Sequence, residues 1–174
     1  MSEPIAYIGL VNPKSPENVG MVMRAAGCYA ANSVFYTGER FNRARKFFTD
    51  TKNAHEKIPL QATDDLLTII PSSTKIVAVE LIEGATPLIQ FEHPARAFYI
   101  FGPEDGSLSQ AILDACDHVV YIPTIGCMNL AATVNVVLYD RLAKAIGNII
   151  SERPISKNRD TNSRATIKDK KIQC

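Results

Sequence analysis

Three stretches of this 174-residue chain gather the residue types that hold ligands and move protons. The first lies between Asn12 and Arg24 and contains Asn18, Gly20 and Arg24. An arginine among Val22, Met23, Ala25 and Ala26 can bury its stem and turn its fork to a phosphate or carboxylate. It serves equally well as a surface arginine, and Asn18, six residues earlier, falls on another face of any helix. The second stretch is Phe101-Gly102-Pro103-Glu104-Asp105-Gly106-Ser107. Its two glycines let the backbone approach a ligand, and Ser107 is placed to cap a following helix. A plain strand-to-helix turn has the same composition, and neither the GxGxxG nor the P-loop spacing of a phosphate cradle is present. The third stretch is Ile122-Pro123-Thr124-Ile125-Gly126-Cys127-Met128-Asn129-Leu130. Asn129 suits a helix cap as well as a ligand site. Cys127 has no histidine nearby to serve as its base, since His55, His93 and His118 all stand elsewhere.

Each stretch leaves an apolar run and enters a helical pattern. Residues 5–11, 33–36, 75–79, 97–101 and 119–122 read as strands. Ser15-Pro16-Glu17 reads as a helix start, with serine as cap and proline in the first turn, and the helix should extend to about Ala30. Further helices are expected over 63–70, 107–115 and 129–149. Alternating strands and helices predict an α/β domain on a mostly parallel sheet, whose ligands collect where strands end.

Composition excludes other classes. The hydrophobic share of 46% supports a core without staples. The four cysteines show no CxxC pair and no histidine cluster, which argues against a zinc site and for reduced thiols in a cytoplasmic protein. No apolar run is long enough to cross a membrane, and Met-Ser-Glu-Pro is no signal peptide. The net charge of +1 hides an asymmetry, because residues 151–174 hold seven basic and three acidic side chains. That composition reads as a disordered basic tail, either a solvated appendage or an aid to polyanion binding. The domain itself is expected to occupy residues 1–150.

Taken in order, Asn18-x-Gly20-x-x-x-Arg24, Phe101-Gly102-Pro103-Glu104, and Ile122-Pro123 with Met128-Asn129-Leu130 resemble the three signature motifs of the SPOUT methyltransferases. More narrowly they resemble the SpoU (TrmH-like) branch, which methylates ribose 2′-hydroxyls of tRNA or rRNA. Met128-Asn129-Leu130 with Val136-Val137-Leu138-Tyr139-Asp140 is most similar to the minimal single-domain tRNA members. The resemblance implies a C-terminal deep trefoil knot, a homodimer with a shared site, S-adenosyl-L-methionine as methyl donor, and no metal. Carried over by position, it implies a donor pocket of Val79, Gly102, Ile122, Cys127, Asn129 and Leu130. It makes Arg24 the catalytic arginine, with Asn18, Glu104 and Asn129 shaping the site. A guanidinium is a poor proton acceptor, so Arg24 is better suited to binding the substrate phosphate and orienting the hydroxyl. Two positions depart from the pattern: Cys127 stands where serine is common, and Gly126 where the minimal tRNA members tend to carry arginine.

Between Arg40 and Lys57 six basic residues mingle with Phe41, Phe47 and Phe48. This is either an amphipathic helix or an RNA-contacting edge, and the resemblance favours the second, with Arg40, Arg43, Arg45 and Lys46 binding phosphates. Apolar residues of the last helix (Val134, Val137, Leu138, Leu142 and Ile146) are expected to exceed what the body can bury, which supports a dimer. The alternatives are a base-methylating SPOUT enzyme, a non-catalytic RNA-binding protein on the same fold, and a generic nucleotide-binding domain.

Overall fold

The computed structural model describes residues 4–45 and 58–146. The expected basic tail over 151–174, and the segment from Lys46 to Lys57, lie outside the described residues.

Seven strands form one sheet in which every pairing is parallel. The strands are β1 (Ile5–Leu10), β2 (Ser33–Tyr36), β3 (Leu60–Ala62), β4 (Lys75–Val79), β5 (Thr86–Pro87), β6 (Arg96–Phe101) and β7 (His118–Tyr121), in the order β3-β2-β1-β6-β4-β7-β5. Such a sheet must be covered on both faces, because its strands read as continuous apolar runs rather than alternating ones. In β6, Ala97, Tyr99 and Phe101 point into one core and Phe98 and Ile100 into the other. The first face is covered by α1 (Pro16–Cys28) and α4 (Leu130–Ile146), which pack on each other. The second is covered by α3 (Gln110–Ala115) and a 3-10 turn at Leu67–Ile69. A short α2 (Arg40–Arg45) follows β2, with Phe41 buried edge-on against Tyr36.

Gly9 makes the second face possible. A Cβ there would lie 2.6 Å from Phe98 Cε1 and 3.0 Å from Leu66 Cδ1. Without one, the Phe98 ring lies across the sheet between Tyr7 and Phe35, at centroid distances of 6.1 and 5.8 Å.

Several sequence expectations need correction. The helix expected over 63–70 is a single 3-10 turn, because Asp65 ties up the local groups. Its carboxylate accepts from the Leu67 amide, and its carbonyl accepts from the Thr63 and Thr68 hydroxyls. The helix expected from Ser107 starts at Gln110, with Ser109 rather than Ser107 accepting from the Ile112 amide. Val134, Val137 and Leu138 are fully covered within the chain, so they do not argue for an interface. Among the described residues, the exposed large apolar side chains of α1 and α4 are Met21, Tyr139 and Leu142.

The end of α4 is fixed to the amino-terminal edge of the sheet by a half-buried polar network. Asp140 accepts from His93 Nε2 at 2.8 Å, and His93 Nδ1 accepts from the Tyr99 hydroxyl at 2.6 Å. Arg141 donates to the carbonyls of Pro94, Ala95 and Ile5 and to the Tyr99 hydroxyl, while Lys144 pairs with Asp140 at 2.7 Å. The short His93–Asp140 distance suggests an ion pair, yet burial, reinforced by Arg141 and Lys144, outweighs Asp140 and lowers the His93 pKa below the ordinary 6.5. His93 is therefore a neutral link, and burial likewise pushes Tyr99 up to about 12. The unfolded chain takes up a proton that the folded chain resists, so this contribution to stability is lost as pH falls from 6.5 through the depressed folded value. Thermal unfolding across that window should show the slope, and His93→Gln should flatten it.

Candidate functional site

Loops at the carboxyl ends of β6, β4 and β7 enclose a cleft of about 230 Å3. It lies beside the point where the connections diverge, β2 and β3 being laid to one side of β1 and the later strands to the other. Ligands of open parallel sheets collect at such a switch point. Val79, Gly102, Ile122, Cys127 and Leu130 all line the cleft, as does Glu104. Asn129 does not; its side chain turns away to the neighbouring loop.

That loop is built by local chemistry. Asn12 turns the chain out of β1 with a φ of 45°, in the left-handed region that asparagine tolerates. Ser15 then caps α1, its hydroxyl oxygen accepting from the Asn18 amide at 3.2 Å. Pro16 occupies the first helical position, where its missing N–H costs nothing. The loop's free amides find Glu104. One carboxylate oxygen accepts from the Lys14 amide at 2.8 Å; the other accepts from the Ser15 amide at 3.1 Å and from Asn18 Nδ2 at 3.0 Å. Asn18 Oδ1 accepts from Asn129 Nδ2 at 2.7 Å, and Asn129 Oδ1 caps α4 by accepting from the Ala131 and Ala132 amides.

The three motifs thus meet in one chain of hydrogen bonds, Glu104–Asn18–Asn129, beside the cleft. Burial by itself would raise the Glu104 pKa, but the bonds from Asn18, Ser15 and Lys14 outweigh it and hold the carboxyl below its ordinary value. Glu104 is a fixed acceptor at neutral pH, unsuited to donating a proton. Asn129 is both the cap and a member of the site, so the two readings of that residue merge.

Arg24 stands apart. It is exposed on α1, contributes nothing to the cleft lining, and has no bonded partner among the described residues. Its neighbours along that helix face include Gly20 and Gly27, where an added Cβ would meet nothing within 4 Å. The basic segment is divided as well. Arg40 makes a two-pronged pair with Asp105, both N–O distances being 2.8 Å, while Arg43 is exposed. The Arg45 side chain and Lys46 lie outside the described residues.

Sequence reasoning missed Glu80 and Tyr121, which also line the cleft. Each sits at a strand end, and that placement was the available signal. Among the described residues no group of histidine, cysteine or carboxylate side chains is arranged to hold a metal. None of their helices is long and apolar enough to cross a membrane. Cys28, Cys116 and Cys127 are unpaired; burial pushes the Cys116 thiol up to about 11, which makes it inert.

The sequence profile of the SpoU rRNA methylase family matches residues 6–139. No curated protein sequence matches the chain. Among solved structures, the SpoU methyltransferase AviRb from Streptomyces viridochromogenes superposes with a TM-score of 0.70 at 19% identity, over 84% of this chain and 62% of its own. A second AviRb structure, in complex with the cofactor AdoMet, gives 0.67 at 18%, over 84% and 63%. This chain therefore spans less than two thirds of that enzyme. The TrmH/SpoU tRNA modifying enzyme of A. aeolicus gives 0.68 at 16%, over 83% of this chain and 77% of its own. A structure described as bearing on 2-OH methylation of C/U34 on tRNA gives 0.68 at 20%, over 84% and 94%. At these identities the likeness is one of fold.

Proposed function

We propose that this chain, which belongs to the SpoU rRNA methylase family, transfers a methyl group from S-adenosyl-L-methionine to a ribose 2′-hydroxyl of RNA, with tRNA as the favoured substrate. The observation that carries the reading is the meeting of three separate motifs at Glu104–Asn18–Asn129, beside a cleft at the strand ends. The likeness in fold to the structure concerned with 2-OH methylation of C/U34 on tRNA supports tRNA.

The cleft suits the donor. Gly102 leaves room that a side chain would take, since a Cβ there would lie 3.3 Å from Glu80 Oε2 and 3.5 Å from the Leu108 amide nitrogen. Apolar walls from Val79, Ile122 and Leu130 flank main-chain groups at the loop ends, the mix expected for an adenosine site. When bound, the donor supplies an electrophilic methyl group on a sulfonium. The chain's own residues then position the acceptor. Glu104 and Asn18 hold the 12–18 loop and the start of α1 against the cleft, and Asn129 fixes α4 to the same point. Arg24 binds the substrate phosphate and orients the 2′-hydroxyl, so that much of the acceleration comes from placement.

Because Arg24 lies outside its own cleft, the reading includes a homodimer in which the partner's Arg24 completes each site. The exposed Met21, Tyr139 and Leu142 are apolar surface available to that contact. A trefoil knot is also part of the reading. β7 lies between β4 and β5, so residues 80–85, which join those two strands, must pass β7, an arrangement that supports a knot at this end of the sheet. The unpaired thiols fit a cytoplasmic setting.

The exposed Arg43, with Arg45 and Lys46, supplies phosphate contacts in this reading. Replacing all three with alanine should weaken RNA binding and reduce the salt slope by about two to three units, with donor affinity unchanged. Binding and methylation equal to the parent would place the RNA surface elsewhere. The target itself is best named by mapping ribose methylation in RNA from cells with and without the gene. One tRNA position should lose its methyl group in the deletion; loss of a base methylation instead would refute 2′-O transfer.

A further inference from the structure

Two carboxylates line the cleft, Glu80 and Glu104, with no lysine, arginine or histidine among the described lining residues. Glu104 is committed to the 12–18 loop. Glu80 is placed differently: it follows β4 directly, is half-buried, and is held by main-chain amides from two loops. Its Oε1 accepts from the Leu81 amide at 3.2 Å and its Oε2 from the Leu108 amide at 2.8 Å. Oε2 lies against the face of Gly102, where the missing side chain keeps the carboxylate open to the cleft. The two amides fix its direction and leave further lone pairs and the full negative charge.

We propose that Glu80 is a specificity-determining residue whose charge makes the cleft prefer the cationic methyl donor over the product of transfer. The inference rests on the reading of the cleft as a site for S-adenosylmethionine. In the transfer, the sulfur–methyl bond breaks and its electron pair stays on sulfur, the methyl carbon bonds to the ribose oxygen, and the hydroxyl proton passes to the substrate phosphate that Arg24 binds. The sulfonium becomes a neutral thioether, while the ammonium and carboxylate of the amino-acid end are unchanged. The ligand thus loses one positive charge in a cleft whose charged lining is entirely acidic. At a separation of about 7 Å and an effective dielectric of roughly 20–40, one such interaction corresponds to about a tenfold or larger difference in affinity. Glu80 would in this way hold the donor and hasten release of spent product. A carboxylate that served only to pin the 81 and 108 loops would instead act on every ligand alike.

Calorimetric titration of the parent and of Glu80→Gln separates these roles, using S-adenosylmethionine, S-adenosylhomocysteine and sinefungin, which carries an ammonium in place of the sulfonium. The parent should favour both cations over S-adenosylhomocysteine by about tenfold. The variant should lose about fivefold to tenfold for the cations and less than about twofold for the neutral product. Equal losses for all three ligands, or an unchanged ratio, would overturn the inference while leaving the donor site standing. A parent that binds none of the three would refute the donor reading and this one with it. Should the variant not fold, the parent alone decides: a cation preference that narrows with added salt supports Glu80, and parity between sulfonium and thioether overturns it.

Discussion

Replacing Arg24 with alanine should lower methyl transfer by at least about a hundredfold, with the fold and donor affinity unchanged. The structure makes this a sharp expectation. Arg24 is exposed, has no bonded partner among the described residues and lines no part of its own cleft, so its removal disturbs neither packing nor pocket. A large loss would then have to come from substrate placement. Where Arg24 acts is tested by mixing it with a cleft-blocked chain, Gly102→Val. If the arginine serves the other subunit, a mixed dimer has one site with an intact cleft and an intact Arg24. Random pairing should therefore restore about a quarter of the parent rate from two inactive proteins. If it serves its own chain, neither subunit of a mixed dimer is complete and no activity returns.

The second large effect is expected at Gly102. A bare Cβ already falls 3.3 Å from Glu80 Oε2, and Glu80 is held there by the Leu108 amide. Valine adds two further methyl groups at the mouth of the cleft, on a loop following a strand that is buried from Ala97 to Phe101 and cannot shift to admit them. Donor affinity should fall at least about a hundredfold, a loss of about 2.7 kcal/mol of binding energy. Circular dichroism and sedimentation should show a folded protein of unchanged oligomeric state. Unaltered affinity in Gly102→Val would place the donor elsewhere.

Much of this arrangement was legible in the sequence where one signal dominated. Ser15-Pro16 marks the start of α1, and the apolar runs at 33–36 and 75–79 coincide with β2 and β4. The cleft residues could be named only through the resemblance of the three motifs, whose loops follow such strands. What was not legible depended on contacts distant in sequence. Leu60-Gln61-Ala62 and Thr86-Pro87 form strands only because β2 and β7 offer edges to pair with. Thr63 to Ile70 has a helical composition, but Asp65 and the threonines satisfy one another locally. The partnership of Glu104 with Asn18 spans 86 residues and that of Asn129 with Asn18 spans 111, beyond the reach of any periodicity. Glu80 was overlooked because its place at a strand end is a weak signal when taken alone; its meaning comes from the Leu108 amide and the gap at Gly102. Burial of Val134, Val137 and Leu138 against α1 could likewise be settled only by packing.

The central claim, transfer to a ribose oxygen, is tested most directly by nucleoside analysis of RNA incubated with the purified protein and methyl-labelled S-adenosylmethionine. After complete digestion the label should co-migrate with a 2′-O-methylnucleoside, and after alkaline hydrolysis it should remain in a dinucleotide, because the methylated ribose cannot assist cleavage. The Arg24→Ala protein should yield neither product. Label recovered on a base, with alkali leaving only mononucleotides, would contradict the account.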